Sequence, residues 1–331
     1  GLQSTLHSTV TVGAQSAQAQ GVNHKTQDKN SFKSTFSELI RTSTPIVLSS
    51  VTLPLLVMLD SFLVVNLLNQ AGFDSTTATI LWGIDSGAVN SLINMPIALC
   101  LAVAVSVVPA IAALNDKAEI NVKINKALAL TFVFCLPVIA VFLVLPEILT
   151  DILYQGSLGG AEFLHIASNL LLLGTPTILA GSVLQVQNSA LQALGKGNIT
   201  MYNMLFAGVI KIGLTLLLVP MASINIYGIA LSSLAFYIVA VVLNAIYLRK
   251  KLSFRFSIKP VLPSIAGASL LLLFFANVVV LPISHVLIAV LAVSVGIVLY
   301  LFALWVFGFN FTEIFPFLKR KSVKKVDLGN T

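Results

Sequence analysis

The sequence predicts an all-α, polytopic membrane protein with about eight transmembrane helices. Composition is the first observation: 57% of the 331 residues are hydrophobic and only 9% are charged, with a mean hydropathy of +0.97. A soluble domain carries roughly 25% charged residues, so most of this chain is expected to face lipid. The second observation is a series of long apolar runs, and the third is the placement of the basic residues between them.

Apolar runs of about 20 residues, the length that crosses a bilayer core, predict eight helices. They cover residues 45–68, 86–114, 127–145, 161–191, 201–221, 226–248, 261–281 and 286–308. Proline interrupts the first four of them, at Pro54, Pro96, Pro109, Pro137 and Pro176. Proline is frequent in membrane helices generally. The carbonyls that it frees must be satisfied by protein or cavity water, however, which favours a bending transporter over a simple anchor.

Basic residues are confined to alternate connections between these helices. Eighteen of the nineteen Lys and Arg residues lie at the chain ends or after the second, fourth and sixth predicted helices. Cytoplasmic loops carry the excess of Lys and Arg in membrane proteins. Those connections and both termini are therefore predicted to be cytoplasmic, in a multi-pass protein of the cell membrane.

Four regions follow from this pattern. Residues 1–34 are rich in Gln, Ser, Thr, Ala and Asn and are predicted to be a disordered cytoplasmic linker, because they hold too few apolar side chains to order themselves. Residues 35–248 are predicted to form a six-helix transmembrane lobe, 249–308 two additional transmembrane helices, and 309–331 a basic cytoplasmic tail. The chain does not begin with Met and has no signal-peptide pattern, so we expect the second half of a longer protein.

Several function classes are not supported by the sequence. The net charge of +7 lies at helix ends rather than on one folded face, so no nucleic acid is expected as a partner. Cys100 and Cys135 lie in predicted helices and are interpreted as packed small residues, and the four His residues lack metal-ligand spacing. Nucleotide-binding, HExxH and GxSxG motifs are absent from the sequence, so neither an enzyme, an ATP-driven pump nor a cofactor is predicted.

Three charged residues are candidates for a role at membrane depth. A charge at the bilayer centre costs at least ~2.5 kcal/mol and usually faces a cavity or a partner. Lys211 is central in the fifth predicted helix, and Asp60 is the only carboxylate predicted well inside a helix, with Asp85 expected just before the second. We predict an Asp60–Lys211 ion pair. It either lines a cavity that meets an anionic substrate or couples a cation or proton, or it clamps the first and fifth helices.

Two rows of polar residues complete the candidate substrate or coupling-ion cavity. They consist of Asn90, Ser91 and Asn94 on the second predicted helix, and of Gln185, Asn188 and Gln192 on the fourth. Such rows suit sugar hydroxyls or a hydrated cavity, and they suit interhelical hydrogen bonds worth about 1 kcal/mol each equally well. Thr215, on the same helical stripe as Lys211, joins the candidates.

Three stretches resemble one transporter superfamily. The turn at 188–196 (NSALQALGK), the helix that holds Lys211 and ends at Val219-Pro220, and IYGIA at 226–230 look like the second half of a polysaccharide-exporter flippase. The motif Asn94-Met95-Pro96, followed by VVP at 107–109, adds to the likeness. Over most of 36–309 the chain resembles the multidrug/oligosaccharidyl-lipid/polysaccharide exporters, in particular the stage V sporulation protein B and lipid II flippase branch.

The resemblance implies a fold and a substrate. Members are similar in having two six-helix lobes, often with two further helices, around a cavity that alternates its access. This chain would be the second lobe with the extra pair, and its partner would be a missing N-terminal lobe. The implied cargo is an undecaprenyl-pyrophosphate-linked sugar for peptidoglycan or surface polysaccharide. Lys211 would meet the pyrophosphate, the polar rows the sugar, and the last two helices the lipid tail.

The sequence departs from the family in one respect, and two alternatives stay open. The better-known lipid II flippases resemble one another in carrying cavity arginines, whereas the second predicted helix has Ser91 near such a position and no arginine. Some relatives bind a cation between the first and fifth helices of this lobe, where Lys211 would supply a built-in charge.

The alternatives are a cation-coupled drug antiporter of the same superfamily, with a more aromatic or acidic cavity, and a non-transporting membrane scaffold.

Overall fold

The computed structural model describes residues 34–37, 39–40, 43–44, 46–154, 160–278 and 286–309. The predicted linker up to residue 33 and the predicted tail from residue 310 lie outside the described residues. The helices are α1 (Ile46–Gln70), α2 (Ser75–Gly83), α3 (Asn90–Ala112), α4 (Lys117–Val144), α5 (Pro146–Tyr154), α6 (Ala161–Ala193), α7 (Gly197–Leu218), α8 (Tyr227–Leu252), α9 (Leu262–Val278) and α10 (Val286–Val306). A π-helix, Ile84–Val89, joins α2 to α3.

Six of these segments are long and apolar enough to cross a membrane. They are α1, the continuous Ser75–Ala112 segment, α4, α6, α7 and α8, while α9 and the Leu291–Val306 part of α10 are shorter apolar helices. Each of the eight predicted helices overlaps one of these segments. The prediction of an all-α polytopic membrane protein is confirmed.

The second span begins eleven residues earlier than predicted, at Ser75 rather than at residue 86. Asp74 caps it, because its Oδ2 accepts the backbone N–H groups of Thr76 (3.0 Å) and Thr77 (3.1 Å) and its Oδ1 accepts the Thr77 hydroxyl. An aspartate at this position satisfies amides that the first helical turn leaves without partners. The prediction that Asp85 precedes the second helix is therefore wrong, and Asp85 lies within the span.

The third span also begins early, at Lys117 rather than at residue 127. Asp116 is its N-cap, with Oδ1 accepting the Ala118 N–H at 3.2 Å. The basic residues assigned to the preceding connection thus lie on the first turns of α4. A short amphipathic helix after α4, α5, was not predicted; its Tyr154 hydroxyl donates to the Ala88 carbonyl of the π-helix at 3.2 Å.

Helix α6 lies at the centre of the bundle and packs against α3, α4 and α8. Leu170, Leu171 and Ile178 of α6 are fully buried. A Cβ atom at Gly174 would overlap the Ile93 side chain of α3, so the absence of a side chain permits these two helices to approach closely. This contact fixes α3, and with it the π-helix, against the centre of the bundle.

The two cysteines lie next to each other in the interior of this bundle. The Sγ atoms of Cys100 on α3 and Cys135 on α4 are 3.3 Å apart, and Cys135 Sγ is 3.1 Å from Ser182 Oγ on α6. Both thiols are free and buried. Their interpretation as packed small residues agrees with this placement.

Candidate functional site

A cavity of about 470 Å³ opens between α1, the π-helix and α3, α6, α7 and α8. Its polar lining comprises Asp60, Asp85, Ser86, Asn90, Asn94, Thr177, Lys211 and Ser233, and its aromatic lining Trp82, Phe236 and Tyr237. Most of these residues lie in the halves of their helices that are remote from the basic connections. Charged and amide side chains thus meet in a space within the membrane-spanning part of the protein.

Lys211 of α7 and Asp60 of α1 form an ion pair at this cavity. Lys211 Nζ donates to Asp60 Oδ2, and the two side chains are 8% and 3% exposed. One turn before Lys211, a Cβ atom at Gly208 would lie 3.3 Å from the Leu56 side chain, so α7 and α1 are already close. The predicted pair is present, whereas its role in a cavity stays a prediction. Asp60 Oδ1 has no hydrogen-bond partner among the described residues.

A second buried carboxylate, Asp85, also lines the cavity. It is 3% exposed, and its Oδ2 accepts one hydrogen bond, from Asn90 Nδ2 at 3.1 Å. The two residues are five positions apart, and the backbone N–H of Asn90 bonds to the Asp85 carbonyl, the spacing of a π-turn. In an α-helix, with about 3.6 residues per turn, side chains five apart point in different directions. The wider turn brings Asp85 and Asn90 together, and such turns are frequent at functional sites.

Asp85 lines the cavity, although the sequence analysis placed it before the second helix and left it out of the candidate cavity; Ser86, Thr177 and Ser233 also line the cavity and were not predicted. The Asp74-Ser75-Thr76-Thr77 stretch is a readable N-cap signal, and the apolar residues after it begin the second span well before Asp85. Within the cavity, the Asp85 carboxylate is attracted by the Lys211 ammonium and repelled by the Asp60 carboxylate. The cavity lining therefore includes two carboxylates and one ammonium.

The row on α3 divides between the cavity and the exposed surface of the helix. Asn90 is half-buried in the cavity lining, and Asn94 lines it with an exposed side chain. Ser91 points elsewhere: its hydroxyl bonds to the Gly87 carbonyl of its own helix and is exposed. The expectation that Ser91 lines the cavity is not met, because neighbouring residues on a helix face different directions.

The row on α6 does not line this cavity. Asn188 is bonded into a chain of amides in which Asn203 Nδ2 donates to Asn244 Oδ1 and Asn244 Nδ2 donates to Asn188 Oδ1, both at 2.8 Å. Gln185 and Gln192 are half-buried elsewhere on α6. Thr215 is fully buried and donates to Ser232 Oγ at 2.9 Å. For Asn188 the interhelical hydrogen bonds left open above are the observed arrangement, and Thr215 also makes one.

The described residues hold no group of three or more His, Cys, Asp or Glu side chains placed to bind a metal ion. The cavity lining includes Lys211 in an ion pair, Asp85 with a single amide partner, and the amides of Asn90 and Asn94. Such a set can exchange ion-pair partners and bind a polar, charged group within the membrane.

Two of three comparisons with known proteins gave a match. The sequence model of the family described as lipid II flippase MurJ matches residues 88–315. The solved structure of "Lipid II flippase MurJ, inward closed conformation" matches with a TM-score of 0.57 and 16% sequence identity, over 84% of this chain and 53% of that one. A search of curated proteins gave no match. The chain thus has the fold of the solved flippase and spans about half of its length.

Proposed function

The chain belongs to the lipid II flippase MurJ family, and we propose that it moves a lipid-linked sugar precursor across the cytoplasmic membrane. The cargo is an undecaprenyl-pyrophosphate-linked unit for peptidoglycan or another cell-wall polysaccharide, carried from the inner to the outer leaflet. Because the chain spans about half the length of the solved flippase, transport by alternating access is assigned to this lobe together with an N-terminal lobe. The activity is transport rather than catalysis.

The observation that carries this proposal is the Lys211 ammonium at a cavity within the membrane-spanning bundle. A phosphate group binds a lysine as a point charge, and Asp60 holds that charge in place while the cavity is empty. When the pyrophosphate enters, Lys211 exchanges Asp60 for a phosphate oxygen. The ion pair is then a resting state of the binding site.

The remaining parts of the cargo meet other surfaces in this proposal. The amides of Asn90 and Asn94 are hydrogen-bonding partners for sugar hydroxyls, since each carries both donors and an acceptor. The apolar helices α9 and α10 pack on each other and on α4 and offer a surface for the polyprenyl tail. Cargo and membrane lipids are the partners assigned to the chain.

The proposed topology has both termini in the cytoplasm, because the basic connections then face that side. The cavity accordingly lies towards the outer leaflet. A topology reporter fused after Lys196 should indicate a cytoplasmic position. One fused after Asp74 should indicate a position on the outer side of the membrane. The reverse pattern would contradict this orientation.

One observation favours export of a cationic drug as a second candidate function. The cavity includes two carboxylates and three aromatic side chains, which is the lining expected of the drug antiporter. Cells that express the protein would then expel a cationic dye without any change in cell-wall precursors. Family membership supports the lipid-linked cargo instead.

Depletion of the full-length protein tests the proposal directly. Lipid-linked precursors should accumulate on the inner leaflet, and wild type but not Lys211→Ala should restore their export. Exchange of the pair, Asp60→Lys with Lys211→Asp, preserves an ion pair but moves the ammonium to α1. Full transport by the exchanged protein would mean that the pair only clamps α1 to α7. If lipid-linked precursors did not accumulate on depletion, the proposal of a flippase would be contradicted.

A further inference from the structure

We infer that Asp85 is a proton-binding site of this cavity and that proton uptake there accompanies binding of the anionic cargo. The proton site itself is argued from the geometry of the cavity. The coupling to cargo rests on the proposed function.

The charges of the cavity do not balance. Lys211 is bonded to Asp60, so Asp85 is left with a neutral partner, the Asn90 amide. An isolated buried charge is costly, and a buried carboxylate is paired, coordinated or neutralised. Asp85 therefore requires either a bound cation or a proton.

The surroundings of Asp85 favour a proton over a metal ion. A hard cation takes several oxygen ligands, six or more for Ca²⁺ and Mg²⁺, whereas the carboxylates of this cavity lining are Asp85 and Asp60, and Asp60 is already bonded to Lys211. The position between α1 and α7 is filled by the Lys211 ammonium itself. A proton needs one carboxylate oxygen.

Few other titratable groups face Asp85. The elements around it contribute Asp60 from α1, Lys211 from α7 and the Tyr237 phenol from α8, while α6 lines the cavity with Leu170, Gly174 and Thr177. From α5, the Tyr154 hydroxyl bonds to the Ala88 carbonyl three residues away. Among these described neighbours, Asp60 and Lys211 carry the charges that Asp85 senses.

A polar row leads from Asp85 to an exposed residue of the cavity lining. Asn94 is exposed, Asn90 is half-buried and bonded to Asp85, and Asp85 is buried. Asn90 and Asn94 are four residues apart and therefore lie on one helix face, and the π-turn extends that face to Asp85. Water that enters the cavity along this row can deliver a proton to the carboxylate.

Cargo binding and proton binding should reinforce each other. A pyrophosphate adds negative charge and draws Lys211 away from Asp60, so that both carboxylates lose their nearest cation. A proton on Asp85 then removes one of the negative charges from the cavity. Coupling between two ligands is reciprocal, so protonation must tighten binding of the cargo by the same factor.

The proton site is tested without any cargo by infrared difference spectroscopy of the full-length protein in vesicles during a pH titration. Wild type should show the carbonyl stretch of a protonated carboxyl group that disappears at high pH. Asp85→Asn should lose this band, Asp85→Glu should keep a shifted band, and Asp151→Asn, which alters an exposed carboxylate of α5, should leave it unchanged. A band that survives in folded Asp85→Asn overturns the assignment, as does a band that sodium removes at constant pH.

The coupling is tested by the binding of solubilised lipid II as a function of pH. Above the titration midpoint, affinity for wild type should fall up to tenfold for each pH unit, because one proton must be taken up; below it, affinity should be constant. Asp85→Asn should bind with no such dependence. The same pH dependence in both proteins would overturn the coupling. Absence of lipid II binding at every pH would count against the proposed function, while the cargo-free titration would still decide the proton site.

Discussion

Two of the buried polar clusters among the described residues are built differently. The amide chain of Asn188, Asn203 and Asn244 joins α6, α7 and α8 through two hydrogen bonds of 2.8 Å and carries no charge. The cluster of Asp60, Asp85 and Lys211 carries charge, leaves Asp60 Oδ1 without a partner among the described residues and opens on a cavity. Neutral groups that satisfy one another hold helices together, whereas charges with incomplete pairing remain available to a ligand.

The largest effect that follows from this contrast is expected at Lys211. Lys211→Ala leaves two buried carboxylates without a cation and should lower the free energy of unfolding by about 3–5 kcal/mol, as removal of one partner of a buried ion pair does. Combining it with Asp60→Asn should recover part of that stability but none of the transport. Thermal unfolding in detergent measures the first quantity and precursor export the second. Restored transport in the double variant would mean that the cluster is structural, like the amide chain.

A smaller loss is expected where α3 and α6 touch. Gly174→Ala places a methyl group against Ile93, which also lines the cavity, and overpacking of this kind costs about 1–3 kcal/mol. Because Ile93 must shift and also lines the cavity, transport should fall more than the amount of folded protein. Gly213→Ala on α7 is the matched control, since its Cβ would meet nothing within 4 Å. Equal behaviour of the two variants would contradict the close contact.

The amide chain should tolerate loss of polarity at a modest cost. Asn244→Leu leaves Asn188 Oδ1 and Asn203 Nδ2 without their partner and should lower the free energy of unfolding by about 1–3 kcal/mol. Transport per folded molecule should not change, because none of the three asparagines lines the cavity. A transport defect larger than the loss of folded protein would place the amide chain with the charged cluster.

A single hydroxyl links α5 to the segment that carries Asp85. Tyr154→Phe removes the donor to the Ala88 carbonyl and should cost about 0.5–1.5 kcal/mol. Hydrogen exchange at the amides of the π-helix should increase relative to those of α7, which this bond does not touch. Unchanged exchange there would show that the bundle alone stabilises the π-turn.

The smallest effect is expected at Asp74, a carboxylate outside the membrane-spanning segments. Hydrogen bonds from the Thr77 hydroxyl and from backbone amides hold the pKa of Asp74 below its usual value. The cap therefore contributes stability at pH values above the usual aspartate range and loses it as the pH falls through the lowered pKa. The protection of the Thr76 and Thr77 amides from hydrogen exchange, relative to the intrinsic exchange rate at each pH, should decrease on acidification. Asp74→Asn, which can still cap the helix, should remove that decrease, and its persistence would refute the assignment.

The ion pair could be predicted from the sequence because a lysine in an apolar run requires a partner. Asp60 was the only carboxylate predicted well inside a helix. Asp85 could not be placed in the same way. The predicted start of its span lies too far along the chain because Ser75, Thr76 and Thr77 interrupt the apolar run, although Asp74 marks the start of the helix. The π-turn that aligns Asp85 with Asn90 has no residue signature of its own.

The polar rows illustrate a second limit. Periodicity correctly indicated that Asn188 shares a face with Gln185 and Gln192, but not what that face contacts. That depends on where α7 and α8 lie, since Asn203 and Asn244 come from those helices and meet Asn188 from a distance in sequence. The spans were predictable because their length is set by the bilayer, whereas side-chain partners depend on tertiary packing.

The π-helix holds one more residue between α2 and α3 than an α-helix would. Deleting Gly87, where an added Cβ atom would meet nothing within 4 Å, would let the segment relax to an α-helix. Asp85 and Asn90 would then be four positions apart, a spacing that keeps two side chains on one face of an α-helix. A one-residue gap in this segment is therefore compatible with the contact between carboxylate and amide. A residue lost elsewhere in the span would instead turn one part of the helix by about 100° relative to the other.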